Sequence, residues 1–165
     1  MRVFAVSGHS GSGKTTLVEG LVKELTERGH SVITVKSAKE DIPDTQNSDT
    51  WRHREAGAIA TILLGPNSTV TRQYTRLSIK EALDELECDF VLFEGLKELN
   101  LPRFWCTMKE VGEEPLPKGT KGLILRQNHI SNQPEMEVSA FTLRDISQLA
   151  DIVEREAVLL SETAL

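Results

Sequence analysis

The stretch RVFAVSGHSGSGKTTL, Arg2 to Leu17, constrains this chain more than any other. Its apolar run, Val3 to Val6, ends in glycine, as a strand buried on both faces of a parallel sheet does. Gly8-His9-Ser10-Gly11-Ser12-Gly13-Lys14-Thr15 then satisfies G-x-x-x-x-G-K-[ST] in full. Leu17, Leu21, Val22 and Leu25 recur at helical spacing, and Gly29 stands where a helix would be stopped. SVITVKS, Ser31 to Ser37, reads as a second strand. Strand, glycine loop, helix and strand make a βαβ unit with a right-handed parallel crossover.

The rest of the chain continues the alternation. Ala38 to Ser48 is a polar loop, followed by a short helix from Asp49 to Ala58 with Ser48 or Asp49 as N-cap. ATILLG and STVTRQY read as two strands joined at Pro66-Asn67, an antiparallel hairpin or edge pair. Ser78 and Glu81 stand at capping-box spacing, so a helix is expected over Ser78 to Glu87. DFVLFEG, Asp89 to Gly95, is the most apolar short run and is expected to be a central strand. RFWCTMKEV and KGLILRQN are two further strands, separated by the loop GEEPLPKGT. A closing helix is expected in the tail, with Leu143, Ile146, Leu149, Ile152 and Val153 in register and Thr142 as cap. The expected fold is a doubly wound, mostly parallel α/β sheet of the P-loop NTPase type, with helices on both faces and an antiparallel edge.

At 165 residues the expected organisation is one domain over residues 1–165, long enough to bury a substantial core. The formal net charge of −6 argues against a basic nucleic-acid footprint. Cys88 and Cys106 have no metal-ligand spacing and read as small buried hydrophobes. No apolar run approaches the ~20 residues of a membrane span, and Val3 to Val6 leads straight into glycines rather than into a signal-peptide core. The expectation is a reduced, cytoplasmic protein.

The glycine loop is built for phosphates. Gly8, Gly11 and Gly13 let the backbone bend close to them. The loop N–H groups, with Ser10 and Ser12 among the donors, and the helix N-terminus behind them form an anion site. Lys14 is expected to reach the β- and γ-phosphates, Thr15 to place its hydroxyl on Mg²⁺ and Thr16 to help hold the α-phosphate. His9 reads as a spacer.

A P-loop also needs an acid near the metal. Asp89 opens and Glu94 closes one apolar run, about 16 Å apart at strand rise. Ligands sit at the carboxyl ends of the strands, which selects Glu94 as metal or water ligand. Asp41, Asp44 and Asp49 populate the loop after the second strand. Asp44 or Asp49 is a candidate for Mg²⁺ or for the attacking water, and a solvated acidic loop explains them equally well. Arg52 and Arg54, on either side of His53, are candidates for a phosphate or an acidic partner.

SGSGKTTL, VITVK, SDTWRHREAGA and FVLFEGLK, in that order and spacing, resemble the molybdopterin-guanine dinucleotide biosynthesis protein B (MobB) family. The resemblance covers roughly residues 3 to 97 and extends more weakly to Asp145–Glu156. It implies a dimeric, GTP- and Mg²⁺-binding protein with weak GTPase activity. Its partner would be the guanylyltransferase that attaches GMP to molybdopterin, and a molybdopterin-type ligand is a further expectation. By position Gly11, Gly13, Lys14, Thr15 and Thr16 match the family's nucleotide site. Asp49, Arg54 and Gly57 match a second segment, and Glu94, Gly95 and Lys97 a third. The chain departs from the family in having KSAKED where many members carry K-H-x-H-H, NSDT for G-K-D-S, and Asn128 where a late strand often ends in Asp. No N/T-K-x-D guanine motif occurs, so GTP comes from the resemblance alone.

Two other classes compete. A small-molecule or nucleotide kinase would carry a lid with several arginines, for which Arg72 and Arg76 are the only clustered candidates after the short helix. A nickel-delivering GTPase would show a His-rich tail or paired cysteines, which four scattered histidines and two distant cysteines do not supply. Trp51, Tyr74 and Trp105 are candidates for a dimer interface, or equally for burial within one chain.

Overall fold

The computed structural model describes residues 1–109, 115–125 and 138–165. In chain order its elements are β1 (Arg2–Gly8), α1 (Lys14–Glu27), β2 (Val32–Lys36), α2 (Asp49–Glu55), β3 (Ala60–Leu64), β4 (Thr69–Gln73) and α3 (Ile79–Leu83). There follow β5 (Phe90–Glu94), β6 (Arg103–Thr107), β7 (Thr120–Leu125), β8 (Ala140–Phe141), α4 (Ile146–Glu156) and β9 (Val158–Leu159). A 3₁₀ turn, Leu160–Glu162, comes last. These elements fall into two units: Met1–Ser37 with Leu86–Leu165, and Ala38–Glu85.

The larger unit is a seven-stranded sheet in the order β2-β5-β1-β6-β7-β8, with β9 also on β1. Every pairing along that path is parallel. The first run of the sequence thus becomes a central strand, flanked by β5 and β6. All five residues of β5 are buried, which is what its unbroken apolar run demanded. One face of the sheet, through Phe4, Val6, Leu92 and Phe104, packs on Leu17, Leu21 and Leu25 of α1 and on Leu149 and Val153 of α4. Burying each such side chain contributes about 1.5–3 kcal/mol. The alternate residues Val3, Ala5, Val91 and Phe93 are also fully buried, so both faces of the centre are covered.

Gly29 ends α1 as expected. It has φ +91°, and the N–H groups of Gly29 and His30 donate to the carbonyls of Thr26 and Leu25. Just beyond, Arg28 ties α1 to α4. Its guanidinium reaches Glu24 at 2.9 Å, Asp151 at 2.6 Å and Glu154 at 2.7 Å, and His30 Nε2 lies 2.8 Å from Glu154.

In the smaller unit β3 and β4 form a two-stranded antiparallel sheet of their own, closed by Gly65 N–H donating to the Ser68 carbonyl. The Ser78–Glu81 capping box is present, but α3 stops at Leu83 rather than running to Glu87.

The tail departs furthest from its expected helix. Helix α4 starts at Ile146, because the Asp145 carboxylate accepts from both the N–H and the hydroxyl of Thr142 and holds those residues in a turn. Thr142 therefore donates to the turn instead of capping the helix. At the other end the chain leaves the helix after Glu156, and Val158–Leu159 pair antiparallel with Arg2 and Val3 of β1. No helix among the described residues is long and apolar enough to cross a membrane. Asn128, and the ends of two expected strands at Glu110–Val111 and Arg126–Asn128, lie outside the described residues.

His30, followed by Arg28, holds the Glu154 carboxyl below its ordinary range. A depressed carboxyl stabilises the fold fully above its unfolded value, about 4.3, and loses that contribution as pH falls through the folded value. Glu154→Gln is expected to flatten the acid limb of stability below about pH 5 while changing little of its slope above pH 6. Thermal melts across that range measure it.

Candidate functional site

The glycine loop leaves β1 at a point of enforced contact. Gly8 pairs with Cys106 of β6, and a Cβ on it would fall 2.0 Å from the Cys106 carbonyl oxygen. Gly11 and Gly13 have open space around them but φ of +73° and +91°. Gly13 then caps α1 in that left-handed conformation. Ser12 is buried and donates its hydroxyl to the His9 carbonyl at 2.8 Å. Lys14 Nζ turns back over the loop and donates to the carbonyls of Gly8 and His9. His9 packs edge-on against Trp105. Ser10, Thr15 and Thr16 are exposed at the mouth of the loop and the first turn of α1.

Glu94 meets this loop. It closes β5 beside β1 on the face that carries α1, and only 8% of it is exposed. Thr15 Oγ1 donates to Glu94 Oε1 at 2.8 Å. Lys36 Nζ lies 3.0 Å from the same oxygen. Of the three residues picked from sequence as metal candidates, Thr15 and Glu94 are thus brought together, with Lys36 beside them, whereas Asp44 pairs with Arg72. Asp89 stands at the other end of β5, where its carboxylate accepts from the N–H and hydroxyl of Ser31.

The turn after Glu94 is held from below. Gly95 and Leu96 have φ of +92° and +45°. The Gly95 N–H donates to the Val6 carbonyl, and its own carbonyl accepts from Ser7 Oγ at 2.8 Å. Arg103, buried in β6, donates to the carbonyls of Lys97 at 2.8 Å and Leu101 at 3.2 Å, and to Ser7 Oγ at 3.4 Å. Burial lowers its pKa from the ordinary arginine value. Burial also pushes the Cys106 thiol up to about 12, so it is a packed, unreactive group.

Asp44 and Asp49 belong to the smaller unit. The Asp44 side chain is 4% exposed and pairs with Arg72 at 2.8 Å. Arg54 lies 3.9 Å from its Oδ2, too far for a hydrogen bond, and that oxygen has no such partner among the described residues. Arg72 also donates to the Ile42 carbonyl, and Arg54 lies over the Tyr74 ring. Asp49 is exposed in the first turn of α2, 4.0 Å from Arg52, while Ser48 caps that helix by accepting from the Trp51 N–H. Trp105 is almost fully buried, and Trp51 and Tyr74 are half-buried.

Sequence reasoning missed Lys36, Ser7 and Arg103. Lys36 was visible as the polar end of an apolar strand. Its register against Glu94, set by the β2–β5 pairing, was not. Arg103 reads in sequence as a strand-entry charge, and only the path of the 95–101 turn reveals the carbonyls that it serves.

A phosphate loop between a central parallel strand and its helix, with an acid from the neighbouring strand on its threonine, defines the P-loop nucleotide-binding class. Within that class the chain belongs to the MobB family: the family model described as molybdopterin guanine dinucleotide synthesis protein B matches residues 3–126. A molybdopterin-guanine dinucleotide biosynthesis adapter protein of Haemophilus influenzae is 30% identical, covering 92% of this chain and 87% of its own length. A protein of Methanocaldococcus jannaschii described as a putative adapter of the same kind is 33% identical over 78% of this chain, and the match spans 57% of that relative. In fold the chain is similar to Bacillus subtilis MobB, with a TM-score of 0.77 over 95% of this chain and 98% of the other at 23% identity.

The glycines separate steric from conformational demand. Gly8→Ala is expected to lose more than about 4 kcal/mol or fail to fold, because its Cβ meets backbone, whereas Gly11→Ala pays about 1–2 kcal/mol for its left-handed φ alone. Denaturant titration of the two variants compares them.

Proposed function

We infer that this chain is a GTP-binding adapter in the synthesis of the guanine dinucleotide form of the molybdenum cofactor, with slow Mg²⁺-dependent hydrolysis. The observation that carries this reading is the Thr15–Glu94 hydrogen bond beside Lys14, set in a chain of the MobB family. The family supports a nucleotide ligand, and the adapter relatives support a partner enzyme of guanylyl transfer to molybdopterin.

The residues suit the task. The loop N–H groups and the start of α1 would cradle the phosphates. Lys14, already arched over the loop, would exchange its carbonyl partners for phosphate oxygens. A hydroxyl and a carboxylate 2.8 Å apart are hard oxygen donors of the kind Mg²⁺ takes together with phosphates. Thr15 and Glu94 would hold that ion, which supplies charge neutralisation on the phosphates. Asp44 is committed to Arg72, and Asp49 is exposed beside Arg52, so neither has the support that Glu94 has. The kinase reading gains nothing from Arg72, which is spent on Asp44 and the Ile42 carbonyl.

The hairpin supports the homodimer that the resemblance implies. Ile62, Leu64 and Val70 are 65%, 77% and 54% exposed on β3 and β4. Apolar residues left this open on a two-stranded sheet are the kind that a second copy covers. Light scattering is expected to give twice the mass of the chain, and Ile62→Lys with Leu64→Lys to give one; a monomeric wild type would remove the dimer.

Lys14→Ala is expected to abolish GTP binding by calorimetry with the melting temperature kept. Unchanged affinity would remove the loop as the site. Glu94→Gln is expected to cut Mg²⁺-dependent hydrolysis at least tenfold, and Asp89→Asn to leave it within about twofold; the reverse order would overturn the choice of acid. Rapid phosphate transfer to a small acceptor would sink the adapter reading.

A further inference from the structure

Lys36 closes β2 directly beside Glu94, its register partner on β5. The Ser37 N–H donates to the Glu94 carbonyl at 3.3 Å, which fastens the end of β2 to the end of β5. Lys36 does not share a solvated carboxylate at the surface. Its ammonium lies 3.0 Å from the one Glu94 oxygen that accepts the Thr15 hydroxyl, on a side chain 11% exposed, while its own is 60% exposed. The acid that would serve the metal therefore already carries a cation on the oxygen aimed at the phosphate loop.

We propose that Lys36 is a tethered competitor for the metal: its ammonium holds Glu94 Oε1, so Mg²⁺ gains the carboxylate only together with the phosphates of a nucleotide. The inference rests on the nucleotide-binding reading and deepens it. Mg²⁺ gives up its water reluctantly and is bound through one or two carboxylates plus substrate phosphates. One carboxylate and one hydroxyl are a poor site for the ion alone, and an adjacent ammonium makes them poorer by competition and by repulsion. Phosphates change the balance, because they bring several negative charges to the same place. Lys36 then yields, and its flexible four-carbon stem carries the charge away without disturbing the strand. Glu94 in the meantime stays directed at Thr15. Metal and nucleotide thus enter as a unit.

The test is the Mg²⁺ concentration at half-maximal binding of a fluorescent GTP analogue, read for the wild type, Lys36→Met, Lys36→Arg and Glu94→Gln. Lys36→Met keeps the length of the side chain at a largely exposed position, and its melting temperature checks the fold. It is expected to lower the Mg²⁺ midpoint about fivefold, the factor that corresponds to the ~1 kcal/mol of a strong exposed ion pair. Lys36→Arg keeps the charge and is expected to stay within about twofold of the wild type. In the Glu94→Gln background, Lys36→Met is expected to change nothing, because the carboxylate charge contested by the two cations is gone. An unchanged or raised midpoint in Lys36→Met would overturn the proposal, as would a fivefold fall that persists without Glu94. An ATP analogue run in parallel separates the two readings. Binding of ATP in place of GTP would overturn the guanine assignment and leave the Lys36 shift to be read on ATP. A wild type that binds neither with Mg²⁺ would overturn both.

Discussion

The hydrogen bond from Thr15 to Glu94 joins the glycine loop to the end of β5, and much of the larger unit serves to make it possible. Thr15 is placed by the glycine loop, which can leave β1 only because Gly8 fits against the Cys106 carbonyl. Glu94 is placed by the parallel pairing of β5 with β1, which sets it at the same end of the sheet and on the face of α1. Neither residue would reach the other if one strand slipped by a single position, since every side chain would then change face. The apolar register of Phe90 and Leu92 against α1 and α4 guards against that slip. Core packing and site geometry are here the same constraint seen from two ends of one strand.

The lower side of the sheet adds a second layer of support. Ser7 and Arg103 hold the carbonyls of the turn that follows Glu94, so two left-handed residues in a row persist there. Arg103 makes no hydrogen bond to an acid in that set; carbonyl dipoles and a hydroxyl meet its guanidinium, and the charge of Glu98 supports it from nearby. A buried guanidinium is costly unless its donors are met, and two carbonyls of the 95–101 turn with the Ser7 hydroxyl take three of its five N–H groups. The cost is local, and so is the return: the turn is fixed at the point where the acid leaves the sheet.

The parts of the fold legible in the sequence were those carried by local chemistry. The glycine loop, the Gly29 stop, the Ser78–Glu81 box and the burial of β5 follow from residues close together in the chain. So does the placing of Glu94 at the loop end of β5 and of Asp89 at the other, because strand polarity alone decides it. What escaped depends on distant pairings. Thr142 looks like a helix cap until Asp145 is seen to take both its donors. Val158 and Leu159 continue a helical pattern, yet the open edge of β1 at Arg2 and Val3 offers backbone hydrogen bonds that a helix end cannot match. Lys36 is an ordinary polar strand end until the register of β2 places it on Glu94.

That last strand pairing also bears on the order in which the molecule can be assembled. β1 precedes its partners in the chain by a long way, for β5, β6 and β9 begin at residues 90, 103 and 158. During synthesis Val3 to Val6 must therefore wait, with two apolar faces and two unpaired backbone edges, until Phe90 and the residues after it have emerged. Long-range parallel pairing of this kind is slow and exposes aggregation-prone surface while it forms. The last edge of β1 is sealed only when Val158 and Leu159 arrive, so the strand that launches the glycine loop is complete long before it is fully enclosed.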